Sequence, residues 1–360
     1  MGNKTALHAV HVQNSAKIVD FAGWDMPLHY GSQLNEHHQV RTAAGMFDVS
    51  HMGVVDIHGK DSFQFLQYLL ANNVAKLQPG KALYTCMLNE RGGVVDDLIV
   101  YQLQINHYRL VINAATKASD IQWMREKAEN FQIELSPLDG YSILAVQGPL
   151  ANSFINQSFS EHVDNLTQLK PFNFLMINDC MLAKTGYTGE AGFEIILPND
   201  AAVKLWHDLQ ILGVKPCGLA ARDTLRLEAG FNLYGHDMTE NDSPLESNLA
   251  WTIAFEPPER QFIGRAALQQ QITNELLKQK LVGLVLEGPG IIRDGAEIKV
   301  GENLHGKVTS GGYSPTLEKS IALARVDVGM QDHCKVLIRN KEVTAKIIKP
   351  PFVRNGKKMF

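Results

Sequence analysis

At 360 residues the chain exceeds one ordinary domain, and length alone points to roughly two or three. A 45% hydrophobic fraction is enough for proper cores, while a formal net charge of -4 and a pI near 6.4 give no electrostatic reason to expect nucleic acid or an acidic membrane surface as a partner. Cys86, Cys180, Cys217 and Cys334 lie far apart with no CxxC pair, which argues against a disulfide scaffold and a thiolate zinc site and fits a reducing compartment.

The start, MGNKTALHAVHVQ, shows neither an apolar export segment nor an Arg-rich presequence. No apolar run approaches the ~20 residues of a membrane helix. The expectation is a soluble, cytoplasmic protein. His8 and His11 share a helical face but have no acid or cysteine beside them, so both read as ordinary surface histidines. In IVDFAGWDMPLHYG (18–31), aromatics around Gly23 and Pro27 suggest an irregular loop. His37 and His38, about 100° apart on a helix, do not suit a shared metal. AGMFDVSHMG (44–53) holds Asp48, Ser50 and His51, but neighbours this close along a strand point alternately and no GxSxG elbow is present, which disfavours a hydrolase triad.

Apolar spacing predicts helices over 60–71 and 118–131, with strands near 83–88, 95–103 and 107–113 between them. The middle strand carries two adjacent acids in RGGVVDDLIVYQL (91–103). Alternation sends Asp96 and Asp97 to opposite faces. One is free to meet solvent or cap a turn. The other meets whatever the second face packs against, at a cost unless it is paired, neutralised or open to a ligand cavity. Glycines alternate with polar residues in KTGYTGEAGFEI (184–195) before a strand in which Glu194 sits between Phe193 and Ile195. Such a carboxylate can accept two parallel bonds from an amidine-like N–H pair or simply face outward, and both readings stay open. LAARDTLRLEAGFNLYGHD (219–237) reads as an amphipathic helix ended at Gly230. Its Arg222 and Arg226, four apart, suit either structural ion pairs or an anionic or carbonyl group.

EPPERQ (256–261) reads as a connector, followed by a helix in FIGRAALQQQITNELLKQ (262–279). From Leu281 onward, short strands and turns predict a small all-β barrel or sandwich appended to a mixed α+β body without regular βαβ rhythm. No glycine-rich phosphate loop occurs at a strand-to-helix junction.

Taken together, FAGWDMPLHY, MFDVSHMG, NERGGVVDDLIVY, KTGYTGEAGFEI, LAARDTLRLEAGFNLYGHD, GKVTSGGYSPTLEKSIALA and KPPFVRNGK resemble the aminomethyltransferase (T-protein) family of the glycine cleavage system, in order from about residue 6 to the end. The resemblance implies a three-domain cloverleaf around a central folate cavity. Two interleaved α+β domains would use 1–50 plus 140–240 and 51–139 plus 241–278, and a C-terminal β-barrel 279–360. It implies transfer of the one-carbon unit from the aminomethyl-dihydrolipoyl arm of the H-protein to tetrahydrofolate as cosubstrate, giving 5,10-methylenetetrahydrofolate, ammonia and dihydrolipoyl H-protein, with no metal. In the family's GGxxDD motif the second acid is catalytic, which selects Asp97 to hydrogen-bond folate near N5 and N10. Glu194 would accept from the pterin 2-amino and N3–H groups. Arg222 would meet the pterin carbonyl or the glutamate tail. Tyr84, Asn113 and Tyr187 would line the ring and linker, and Met52 would add apolar wall. The tail lacks a tyrosine that some members carry after PFV, with Arg354 as a candidate substitute. A folate-binding relative serving iron-sulfur assembly is disfavoured because KTGYTGEAG has no cysteine. A folate-linked demethylating oxidase would need a flavin domain and a dinucleotide fingerprint. A non-catalytic binder would need Glu194 but not Asp97.

Overall fold

The computed structural model describes residues 2–300, 304–330 and 332–360. Two α+β units and a closed barrel surround one central hollow. A six-stranded sheet runs in the order Phe174–Ile177, Cys180–Ala183, Gly192–Pro198, Tyr141–Gln147, Gly45–Asp48 and Lys215–Pro216, antiparallel except for the last pair. A five-stranded sheet runs in the order Ala82–Leu88, Val94–Gln104, His107–Ile112, Gly53–His58 and Glu134–Pro137. The segments of the two sheets alternate along the chain, so their facing walls are built from residues distant in sequence.

The glycines before the acid pair are needed where they stand. Gly92 has φ +82, and a Cβ on Gly93 would come within 1.8 Å of the Glu240 carbonyl oxygen. From there Val94–Gln104 alternates as a strand must. Val94, Leu98 and Val100 are buried in apolar cores, and Asp97, Ile99 and Tyr101 line the hollow. The helix Lys117–Lys127 buries Asp120, Ile121 and Met124 against the sheet's other side.

Six antiparallel strands between Gln279 and Ile348 close the barrel over Leu284, Ile298, Val326 and Val336. The hairpin joining His333–Ile338 to Lys341–Ile348 turns on Arg339 and Asn340, both at positive φ, the twist that a two-residue hairpin loop requires. No helix among the described residues is long and apolar enough to cross a membrane.

Three local expectations are corrected. Residues 18–29 form a hairpin, not an irregular loop: Ala22 and Gly23 both take positive φ, so Lys17–Phe21 turns directly back on Trp24–His29. His11 is fully buried, with Nε2 2.9 Å from Asp48 Oδ2, because the fold brings in an acid that local sequence did not contain. The helix expected over 262–279 is confined to Arg265–Thr273.

Candidate active site

The hollow has a volume of about 1700 Å³ and receives walls from both sheets, the barrel and the C-terminal tail. Asp97, Tyr84, Asn113, Glu194, Tyr187, Arg222 and Met52 all line it.

Asp97 is held from two sides. Tyr84 Oη donates to Asp97 Oδ2 at 2.7 Å, and Asn113 Nδ2 donates to Asp97 Oδ1 at 3.1 Å. Burial, reinforced by the nearby Asp96 charge, pushes its carboxyl up to about 7 against the pull of those two donors. Its environment thus places the Asp97 carboxyl where it changes charge near neutrality. Burial and the neighbouring carboxylate also raise the Tyr84 phenol, keeping it a neutral donor.

Asp96 departs from expectation. No water reaches it, because the helix Lys117–Lys127 covers that face of the sheet and Asp96 meets Asn113 and Asp120 instead.

On the opposite wall, strand pairing sets Glu194 against Ala145 and Ala183, with its carboxylate turned into the hollow. Thr185 Oγ1 donates to Glu194 Oε2 at 2.7 Å, and Arg222 Nη2 stands 4.0 Å from Oε1. The outward-facing alternative for Glu194 is thereby excluded. Arg222 lies 4.8 Å above the Tyr187 ring, and its buried Nη1 has no acceptor among the described residues. Arg226, four residues on, is spent on Asp223 and Asp237. Both arginines of this helix border the hollow, but only Arg222 keeps an N–H without an acceptor among the described residues.

The hollow's aromatic surfaces come in stacked pairs. Tyr187 packs on Phe231 with centroids 5.6 Å apart and 15° between planes, and its hydroxyl donates to the Asn232 carbonyl. Tyr84 packs on Trp251 at 5.4 Å and 23°, although Trp251 itself is 64% exposed. Arg354 lies 5.7 Å over Phe231. Thr185, Trp251 and Phe231 escaped sequence reasoning. Thr185 stood inside the singled-out KTGYTGEAG stretch, but nothing local reports which carboxylate its hydroxyl meets.

Asp48, Ser50 and His51 form no triad. Asp48 accepts from Thr5 and the Ser50 amide, and His51 Nδ1 has no partner among the described residues. Burial pulls His51 down to about 4, so it faces the hollow as a neutral imidazole. Among the described residues no group of three or more His, Cys, Asp and Glu gathers in metal-binding geometry.

Comparison with known proteins follows the same lines. A family described as GCVT N-terminal domain matches residues 7–257, and one described as glycine cleavage T-protein C-terminal barrel domain matches residues 279–354. The crystal structure of glycine cleavage system aminomethyltransferase T from Bartonella henselae is 34% identical, covers 99% of both chains and superposes with a TM-score of 0.92. A heterotetrameric sarcosine oxidase from Corynebacterium sp. matches 62% of this chain and 95% of its own at 11% identity and a TM-score of 0.37, too distant to carry an argument. Matched by that family over both its α+β body and its barrel, the chain belongs to the aminomethyltransferases of the glycine cleavage T-protein family.

Proposed function

We propose that the chain moves the one-carbon unit of an aminomethyl group, carried on the dihydrolipoyl arm of the H-protein, to tetrahydrofolate in the cytoplasm, yielding 5,10-methylenetetrahydrofolate, ammonia and dihydrolipoyl H-protein. The observation that carries this reading is the pairing, across one hollow, of a carboxylate poised near neutrality with a carboxylate–arginine pair whose remaining bonds are unmade. A pterin fits those vacancies. Its N3–H and 2-amino group form the parallel donor pair that Glu194 can accept. The ring carbonyl sits beside N3, so a guanidinium 4.0 Å from Glu194 serves that carbonyl and not the distant glutamate tail. The tail is left to the cationic Arg354 at the rim. Tyr187, Asn113 and Met52 close the ring and linker region, and Tyr84, stacked on Trp251, flanks the reacting end through its bond to Asp97.

Tetrahydrofolate supplies the nucleophilic nitrogens. Asp97 accepts from them, fixes their orientation and stabilises positive charge as it develops. Two N–H protons leave the cosubstrate, one for the lipoyl sulfur and one for the departing amine, and Asp97 can hold one in transit.

The decisive assay combines purified protein, tetrahydrofolate and aminomethylated H-protein. Ammonia should be released much faster with folate than without it, and a rate indifferent to folate sinks the reading. Glu194→Gln should weaken folate binding by about 2 kcal/mol, roughly 30-fold, because an amide cannot accept both pterin N–H groups. Titration calorimetry checks it. The pH profile is a separate test. An acid whose carboxyl is raised to about 7 is protonated and ineffective below that pH, so kcat/KM should climb with pH through about 7 and flatten above it. A profile flat from pH 5 to 9 would contradict the assignment.

A further inference from the structure

Behind Asp97 lies a second acid pair that takes no direct part in the proposed reaction. Asp96 and Asp120 are both fully buried, with carboxyls in hydrogen-bonding reach of each other. Two carboxylates cannot bond without a proton between them, so the pair holds one. The donor count says where it sits. Asp96 Oδ2 accepts the Asn113 backbone N–H at 3.1 Å, and Asp96 Oδ1 accepts Asn113 Nδ2 at 2.8 Å. Asp120 receives no backbone or amide N–H, and besides Asp96 its carboxyl has only the Thr116 hydroxyl in reach, a group 3.4 Å from the Asn113 carbonyl that it can also serve. Asp120 does lie in the first turn of its helix, where the dipole favours an anion, but that field is weaker than two direct N–H donors.

The Asn113 side chain spends one N–H on Asp96 Oδ1. The other is shared by the Asp97 carbonyl and Asp97 Oδ1, each at 3.1 Å. Resting on the reading above, in which Asp97 meets the cosubstrate, we propose that protonated Asp120 donates to an ionised Asp96, and that Asp96 in turn clamps the Asn113 amide so that it aims the Asp97 carboxylate into the hollow. Asp96 and Asp120 are thus positioning residues acting through Asn113.

Burial raises both acids, Asp96 further than Asp120, which reaches about 7, so the pair retains a proton. The bond between them is shared in the sense that favours Asp96 as its holder, and the assignment to Asp120 stands on the two Asn113 N–H donors to Asp96. The other titratable groups facing the cluster are Tyr84 and Cys86 across the sheet, Tyr187, and Tyr234 with Glu240 beside it. Among the described residues no lysine, arginine or histidine forms an ion pair with Asp96, Asp97 or Asp120.

Asn at position 120 is isosteric with a protonated acid and keeps a donor, whereas Ala removes it. Asp120→Ala should therefore lose kcat at least about tenfold with folate KM little changed, and Asp120→Asn should recover most of that loss. Asp96→Asn should not be tolerated in the same way, because an amide nitrogen would face an Asn113 N–H. A second readout uses no folate. Titration of the Asp97 carboxyl, followed by 13C chemical shift and assigned with Asp97→Asn, should show a lower midpoint in Asp96→Asn, where a nearby negative charge is gone, and an unchanged one in Asp120→Asn. If Asp96→Asn is the tolerated variant and Asp120→Asn the crippled one, the proton sits on Asp96 and the proposal is overturned. It also falls if Asp120→Asn and Asp120→Ala are equally impaired, or if the Asp97 midpoint does not move in Asp96→Asn. A wild-type enzyme that moved no one-carbon unit would sink the functional reading and leave the titration result intact.

Discussion

Asp97→Asn should lower kcat roughly 10²–10⁴-fold, the range set by losing a positioned proton acceptor, while folate affinity stays within about threefold. The substitution isolates charge from shape. Asn fills the same volume, and its oxygen can still accept from Asn113 Nδ2. Tyr84, now facing an amide nitrogen in place of Oδ2, can turn its hydroxyl and accept, since a phenol does both. What disappears is the ability to take a proton and to stabilise positive charge at the reacting nitrogens. Folate affinity should survive because Glu194, Thr185 and Arg222 stand on the other wall and do not touch Asp97. Single-turnover kinetics with aminomethylated H-protein separates the two quantities. A variant turning over at near-normal rate would refute the role assigned to Asp97.

Strand alternation was enough to predict that Asp96 and Asp97 part company, and a change in texture near Leu281 was enough to predict an all-β unit, barrel or sandwich, that the resemblance narrowed to a barrel. Both signals are local. The choice between the two acids was not. It came from the family resemblance, because which face of Val94–Gln104 looks into the hollow depends on a helix some 20 residues later and on a second sheet woven through the chain. The same nonlocality hid the burial of Asp96. His11 shows the limit in miniature: its acid partner lies 37 residues away, so neighbours alone made it a surface residue. Glu194 was undecidable for the same reason, since alternation cannot tell solvent from a cavity. The hairpin at 17–29 failed differently, because Gly23 and Pro27 were read as breaking structure when Gly23 closes a tight turn and Pro27 is tolerated in a two-stranded ribbon.

Glu228 should prove the most expensive residue to remove outside the hollow. It ends the helix Leu219–Glu228 and is completely buried. Arg41 donates to its Oε2 through Nε at 3.1 Å and Nη2 at 2.8 Å. From the barrel, Ser314 Oγ and the Thr316 amide reach Oε1 at 2.5 and 2.9 Å, and Thr316 Oγ1 reaches Oε2 at 2.7 Å. One carboxylate thus ties an α+β unit to the barrel. Burial alone would raise its pKa, but the bonds and charges of His37 and Arg41 outweigh that and hold it at about 2. Glu228→Ala leaves the buried Arg41 guanidinium with one remaining carboxylate, Glu190, and should cost about 3–5 kcal/mol of stability, measured as a drop in the denaturation midpoint. Glu228→Gln keeps several bonds but not the charge and should cost less. The sign with pH follows from the lowered folded pKa: this stabilisation is complete above the ordinary value of 4.5 and drains away as pH falls toward 2. Because Arg41 also donates to the Thr188 carbonyl and Glu190, within the loop that carries Tyr187, the loss should reach the hollow and weaken folate binding in the protein that remains folded. A Glu228→Ala protein with unchanged midpoint and unchanged folate affinity would show that the barrel is held without this carboxylate, by its apolar contacts and by polar ties such as those of Asp237 to Thr309 and Ser310.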